Sequence, residues 1–584
     1  MGDTLTGTAK LKHDIKSDID DRGVWEQYDK TIREMRMGYR RETSQQYPEG
    51  PNYVEMIIDD VVTGKTDQEI AMYWNAPRMA YVASMVPLDD KFRLAMEIGF
   101  DAYVRYIIKP RAKFELAMDT KNLRGFAVLK QTRTYSHLLK QMVPDFIVID
   151  NLDLVVPAFT TTVESATRLC HIIKKTKGEY KRWVKDKTAS GIELDMELVN
   201  KILNSGNKNR EEDVKEQSNE IAGITTSVNS EWIVLWEVCN IAEEDKPEIN
   251  VTEGERVITM ISPDYPDEPL FEVAWRNPDG SPRKWPYVQP RYECRSDLWY
   301  DARGGGHLCM DDQIEATSVR NARDTFLDYF ARPMFENESG ENTNNITFSP
   351  GSQLPKGVKP AMMPQAPPQF DFLINNNRQT CGRRLGVSAV YNFSGNMSES
   401  RKTQKTLGEV QIDEGRSSSM SATSVDRFNE PISDIFQLIW EDLARMRLQF
   451  PILIPGKSVE YIDPSAYDGQ VLMIPAASAK NLNPEVQLGK SVMLADWVMK
   501  YADRLPVSLM AIVQTVFGYY DSRLTNGWLV GEDDQATIDM QIQQLQEQIM
   551  MLAEGGKDLS GREENIEKTL EQVISTLETN GVKV

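Results

Sequence analysis

The sequence predicts an α+β chain, and three observations carry that prediction. Between Pro144 and Phe159, and again from about Ser230 to Tyr292, short β-branched and aromatic runs are cut by Pro, Asp and Gly. Over most of the remaining chain, apolar residues recur at the three-to-four spacing of amphipathic helices. From about Leu308 to Leu443 the order is helix, polar Pro/Gly-rich excursion, helix, Ser/Gly/Asn-rich loop and one very long helix. A helix that leaves a body, an irregular tip and a returning helix describe a projecting hairpin, a part that joins other parts.

In chain order, Ser17 to Arg41 reads as helix, with Ile19, Trp25, Tyr28, Ile32 and Met35 on one side. The helical reading continues through TDQEIAMYWNAPRMAYVAS from Thr66 and LDDKFRLAMEIGFDAYVRYIIK from Leu88, where Asp89 and Asp90 favour a helix start. PDFIVIDNLDLVVPAF predicts strand, turn and strand, closed by Pro157, and ESATRLCHIIKKTKGEYKRWVKD a return to helix. A charged stretch, Asn204 to Glu220, leads to three strands in EWIVLWEVCNIAE, ERVITMISPDYP and LFEVAWR. Trp232, Trp236 and Trp275 on these segments read as core residues.

The first helix of the hairpin places Ile314, Val319, Ala322, Phe326 and Tyr329/Phe330 on its apolar side and breaks at Arg332-Pro333. The second opens at about Phe370, with Leu373/Ile374, Cys381 and Leu385 on the same side. The long helix begins near Ser398 to Thr403. Its seam is Val425, Phe428, Ile432, Ile435/Phe436, Ile439 and Leu443, with Pro431 inside it predicting a kink. Beyond it, Asn483-Pro484-Glu485 opens a helix, Ile538 to Leu552 repeats in four-three spacing, and Ser560-Gly-Arg-Glu563 is a capping box before Ile566, Leu570, Val573 and Leu577. Such heptad segments suit packing between helices, within or between subunits.

Composition bounds the function. The 584 residues exceed a single core and predict two to four regions. A net charge of −21 argues against a surface that grips nucleic acid throughout, while leaving local contact open. No run reaches the roughly 18 apolar residues of a membrane span, Met510 to Tyr520 being short and interrupted by Gln514, so no membrane association is expected. The polar N-terminal stretch has no apolar signal core, and the Met1-Gly2…Thr6 match to a myristoylation pattern lacks a polybasic second signal. Cys170, Cys239, Cys294, Cys309 and Cys381 are odd in number and unpaired in spacing, which predicts free thiols.

Several features imitate catalytic motifs. Gly304-Gly305-Gly306 before a helix resembles a phosphate cradle, but no Gly-Lys-Ser/Thr follows and Asp311 and Asp312 would repel an anion. No P-loop occurs elsewhere, so an ATP-driven motor would be a separate protein. His307-Leu-Cys309 has no companion ligands, and His13, His137 and His171 are scattered. Asp59-Asp60 and Asp533-Asp534 read as helix-end or solvated charges, and Met362-Met363 and Met550-Met551 as gap-fillers or adaptable contacts. The sequence therefore predicts no catalytic residue, metal or cofactor, and no enzyme.

Several stretches in order resemble the portal proteins of tailed bacteriophages, the head-to-tail connectors. VPDFIVIDNLDLVVPAFTTTVESATRLCHIIKKTKGEYKRW is similar to their wing. GGGHLCMDDQIEATSVRNARDTFLDYFARPMF, with Gln313 and Asn321, is similar to a first stem helix. ITFSPGSQLPKG resembles a clip strand, and GVSAVYNFSGNMSESRKTQKTLGEVQ a tunnel loop entering a kinked helix. The likeness covers about Val143 to Arg447.

The resemblance implies a portal-like α+β fold: a mixed α/β wing (1–307), a first stem helix (308–330), a small β-containing clip (331–369) and a second stem helix (370–386). A tunnel loop (387–402), a long kinked helix (403–447) and an α-helical C-terminal crown (448–584) complete it. It further implies a homo-oligomeric ring, a dodecamer, at the capsid vertex of the virion, assembled in the host bacterial cytoplasm. Double-stranded DNA would pass through that ring. The packaging ATPase (terminase), the capsid protein and a head–tail adaptor protein would be its partners.

Implied site residues fall in three groups. Asn392, Ser394, Asn396, Arg401, Lys402 and Lys405 would face the DNA channel. Arg320, Arg323, Arg378, Arg383 and Arg384 belong to the stem, where cations meet DNA phosphates or pair with Asp324, Asp328 or acids on the neighbouring subunit; pairing across subunits is the favoured expectation. Glu336, Asn344, Phe348, Lys356 and Lys359 would dock the clip. The alternative is another oligomeric virion component, a tail or baseplate subunit without a DNA channel.

Overall fold

The computed structural model describes residues 7–38, 54–74, 76, 78–84, 90–189, 192–205, 232–266, 268–277, 280–293, 298–331, 335–337, 358–360, 369–387, 407–452, 460–467 and 470–477. The architecture is α+β. The chain divides into two compact units. One comprises Met1–Met72, Ile108–Ile439 and Ala477–Leu482; the other comprises Tyr73–Ile107, Trp440–Ala476 and Asn483–Val584.

In chain order the helices are α1 (Gly7–Asp21), α2 (Gly23–Arg36), α3 (Ile57–Trp74), α4 (Asp90–Ala102), α5 (Arg111–Arg124), α6 (Lys177–Ala189) and α7 (Met196–Ser205). They continue with α8 (Gly305–Ala331), α9 (Phe370–Leu385) and α10 (Leu407–Met446). The strands are β1 (Ala80–Ser84), β2 (Val128–Ser136), β3 (Gln141–Ile149), β4 (Leu154–Val155), β5 (Arg168–Thr176), β6 (Trp232–Ile241) and β7 (Arg256–Ile261). After them come β8 (Phe271–Ala274), β9 (Tyr287–Val288), β10 (Phe335–Asn337), β11 (Val358–Pro360), β12 (Phe450–Ile452), β13 (Glu460–Ile462) and β14 (Val471–Pro475).

The first unit is built on an antiparallel sheet ordered β4-β5-β6-β7-β8 and a smaller one ordered β3-β2-β9. The central strand β6 is apolar on both sides because both sides are covered. Trp236 and Val238 pack with Ile15 of α1, whereas Ile233 and Leu235 pack with Tyr180 and Val184 of α6 and Leu198 and Ile202 of α7. A third cluster joins the sheets, setting Val128, Ile149 and Tyr287 against Leu169, Cys239, Ile258, Trp285 and Trp299. The predicted strand–turn–strand over Pro144 to Phe159 is β3, a short 3-10 turn and β4. The three predicted strands after Ser230 are β6, β7 and β8.

Two helical expectations are overturned. Arg168–Thr176 is a strand, paired with β6 along its whole length; partnered backbone and branched Ile172 and Ile173 outweigh the helical texture of the lysines. The helix starts only at Lys177, where Thr176 and Glu179 form a capping box: the Glu179 carboxylate accepts from Thr176 N at 2.9 Å, and Thr176 Oγ1 from Glu179 N at 3.3 Å. Ala80–Ser84, expected as helix, pairs antiparallel with Val471–Pro475. The helical reading from Ser17 onward holds as two helices, α1 ending at Asp21 and α2 running to Arg36, divided at Arg22. Trp232 is exposed, not core, and Trp275 is half-buried under the Arg283 guanidinium, 4.1 Å from the ring centre.

In the second unit, acids of α4 hold the backbone leading into β1. Asp101 accepts from Met79 N at 2.7 Å, and Glu97 accepts from Val82 N at 3.1 Å and pairs with Arg78. The long helix α10 has 40 described residues from Leu407, with Pro431 inside it, and its expected start near Ser398 to Thr403 lies outside the described residues. Its predicted seam of Val425, Phe428, Ile432, Ile435, Phe436, Ile439 and Leu443 is fully buried. Cys170, Cys239, Cys309 and Cys381 are free and buried. Among the described residues, no helix is long and apolar enough to cross a membrane. Cys294, Asp533-Asp534, Met362-Met363, Met550-Met551, Met510 to Tyr520, and the helices expected from Asn483 onward lie outside the described residues.

Candidate functional site: the α8–α9 pair

Two contacts fix the direction of the pair. Asp312, early in α8, bonds Arg384, late in α9, while Arg323, later in α8, meets Asp371 at the start of α9 at 2.5 Å. The helices therefore run antiparallel. Between them β10 and β11 form an antiparallel ribbon in which Glu336 and Lys359 are register partners.

Glycine roots the pair. Gly125, at φ +98°, ends α5, and a Cβ on it would lie 2.4 Å from the Ala302 carbonyl oxygen. A Cβ on Gly304 would lie 2.4 Å from Gly125 N, and one on Gly306 2.3 Å from Ile32 Cγ2. Three successive glycines let the start of α8 reach the end of α5 and the side of α2, a packing role that accounts for the motif without an anion. His307 Nδ1 accepts from Gly304 N at 3.3 Å, which makes it a cap rather than a ligand.

The buried side of α8 is Cys309, Gln313, Ala316, Thr317 and Asn321. These residues and Ile374, Asn377, Cys381 and Leu385 of α9 line the root facing Ile32 of α2 and Ile57, Ile58, Val61 and Val62 of α3. This corrects the apolar side expected for the first helix: Ile314 is 51% exposed and Ala322 is also exposed. The physical reason is Gln313. Its Oε1 accepts from Ile58 N at 2.9 Å and its Nε2 donates to Met35 O at 2.8 Å, so one amide serves the start of α3 and the end of α2. Thr317 Oγ1 likewise accepts from Glu55 N at 3.2 Å.

Four of the five arginines assigned to the stem find acids within the chain, Arg323 among them on the Asp324 that the sequence offered. Arg320 meets Glu55 at 2.5 Å; Arg378 meets Glu55 at 3.4 Å and Asp60 at 3.3 Å. Arg323 bonds Asp324 as well as Asp371, and Arg384 also donates to Leu308 O at 2.8 Å. Arg383 is exposed. Asp59 pairs with Arg36 at 2.8 Å, so the Asp59-Asp60 pair is spent on two arginines. The described residues contain no group of three or more His, Cys, Asp or Glu placed to hold a metal. Asn344, Phe348, Lys356, Asn392, Ser394, Asn396, Arg401, Lys402 and Lys405 lie outside the described residues.

No protein-family model matches the sequence, and no curated protein does.

Two buried ionic clusters escaped the sequence reading, because their members lie far apart in the chain. Lys121 meets Glu69 and Ser424, each at 2.9 Å, and Lys65 meets Ser421 at 2.8 Å, tying α3 and α5 to α10. Burial opposes charge on Glu69, yet Lys121 and Lys65 hold its carboxyl below the ordinary range. In the second cluster Glu237 accepts from Lys130 at 2.5 Å and from the Tyr287 hydroxyl at 2.9 Å. Burial opposes its charge too, but Lys130, His171 and Lys187 outweigh burial and hold it at about 2. The lone signal was a charged residue inside an otherwise apolar strand.

Proposed function

We propose that this chain is the ring-forming subunit of a phage portal, a structural conduit at the capsid vertex through which double-stranded DNA is packaged and ejected. The observation that carries the reading is the antiparallel α8–α9 pair, interrupted by the β10–β11 ribbon, followed by a 40-residue helix and rooted in an α+β unit. That sequence of parts suits a stem, a clip and a long wing helix. In this reading the ribbon around Glu336 and Lys359 docks the packaging ATPase and later the head–tail adaptor, and the wing contacts the capsid protein. The ring is a dodecamer assembled in the bacterial cytoplasm and retained in the virion. Because most stem arginines are neutralised in-chain, DNA contact falls to Arg383 and to Arg401, Lys402 and Lys405 ahead of the long helix.

Electron microscopy of the purified chain tests this. Rings with a central hole and a narrow stalk support the reading; solid or three-fold particles reject it in favour of a virion component without a channel. In assembled rings, deleting residues 388–400 should leave ring mass unchanged and impair DNA packaging or retention.

A further inference from the structure

The β2–β3 hairpin ends in a turn that presents apolar side chains to solvent. Leu138 is 75% exposed, with Leu139 and Tyr135 also exposed. The turn is ordered by the Ser136 hydroxyl, which accepts from Leu139 N at 3.3 Å, and by Tyr135 edge-on to His137 at 5.4 Å. The lower half of the hairpin is buried in the first unit, so the tip is carried on a braced arm.

At the other end of β3 the surface is concave. A cleft of about 330 Å³ is lined by Leu116, Thr120 and Arg124 of α5, by Ile147 to Asp150, and by Asp153 and His171. Its lining mixes the exposed apolar Leu116 and Ile147 with polar and charged groups, and β3 is at the edge of its sheet among the described residues. Exposed apolar side chains beside an edge strand suit coverage by a partner.

We infer that the Leu138–Leu139 tip of one copy seats in this cleft on the next copy, forming the head-to-tail contact of the assembly. The occupant is a second copy for two reasons. First, the chain carries knob and cleft together but cannot join them itself. Leu139 lies in the turn, and six residues of extended strand from Gln141 onward separate that turn from Ile147, on the order of 20 Å at about 3.3 Å per residue. Second, the charges match: from Thr132 to Met142 the arm carries Arg133 and Lys140 with no acid, while at the cleft Asp150 and Asp153 outnumber Arg124, which is bonded by Asp29 and Asp150. A knob and a cleft at different places on one surface make a heterologous contact, which propagates into a ring when the rotation closes. The contact rests on the oligomeric part of the reading above and not on DNA passage.

The test combines two variants of the full chain. In Leu138→Asp/Leu139→Asp, native mass spectrometry should show the assembly dissociated, with at least about a tenfold rise in the concentration for half-assembly, and the thermal transition of the isolated chain unchanged. In Leu138→Cys/Leu116→Cys, a short bis-maleimide should join chains into a covalent ladder that neither single variant gives. An assembly of unchanged mass in the aspartate variant, dissociation without the ladder, or a wild-type chain that is monomeric overturns the inference. So does a tip whose only measurable binding is to phosphatidylserine-containing vesicles. A solid particle that dissociates on tip substitution keeps this contact and removes the portal; a holed ring indifferent to the tip does the reverse.

Discussion

Gln313 on one helix bonds the first turn of a second and the last turn of a third, pairing Ile58 N and adding a second bond to Met35 O, which also accepts from Gly38 N. Gln313→Leu should therefore leave Ile58 N without its side-chain acceptor and cost about 1–3 kcal/mol in denaturant unfolding. Glu237 gives a pH signature. Its folded pKa is depressed to about 2 from an ordinary 4.5, so its stabilisation is complete above about pH 4.5 and is lost as pH falls toward 2. Thermal unfolding of the wild type should weaken across that window by up to about 3 kcal/mol. In Glu237→Gln the slope over the same window should be shallower, whatever its overall stability; an unchanged slope would remove Glu237 as its source.

At the scale of elements, the glycine root makes a sharp contrast. Gly304→Ala would press a Cβ against Gly125 N and the Leu123 carbonyl, backbone atoms that cannot step aside, and should lower the melting temperature steeply or prevent folding. Gly178→Ala, in the first turn of α6 with nothing within 4 Å, should stabilise by about 0.5–1 kcal/mol. The two unfolding curves check the pair together. Elements also show how much was legible beforehand. The seam of α10 was readable because apolar side chains alone bury it. Ile314 misled because α8 buries a seam led by Gln313, Thr317 and Asn321, whose partners are helix ends distant in sequence. LCHIIKKT misled because pairing with β6 is non-local, although the Thr176–Glu179 capping box marked where helix begins. The glycine triplet was visible; that its partner was Gly125, nearly 180 residues earlier, was not.

At the scale of the whole molecule, acids outnumber bases by 21, and the stem shows where part of that excess goes. Glu55, 2% exposed, is shared by Arg320 of α8 and Arg378 of α9. Removing it takes a carboxylate from two arginines at once, leaving Arg378 with Asp60. Glu55→Ala should therefore destabilise more in denaturant unfolding than Arg320→Ala or Arg378→Ala alone. A double-mutant cycle between the arginines should then give non-additive losses. In the proposed ring, a stem whose arginines are already matched would offer neighbouring copies little charge to pair with, so salt should weaken its association less than a bridge-driven ring would require.

The junction of Gly125 with Gly304 has one more consequence. Here main chain lies against main chain, and no side chain can take the place of hydrogen. Relatives that keep this junction should carry a lone glycine closing one helix and a glycine opening another, with the spacing between them free to drift.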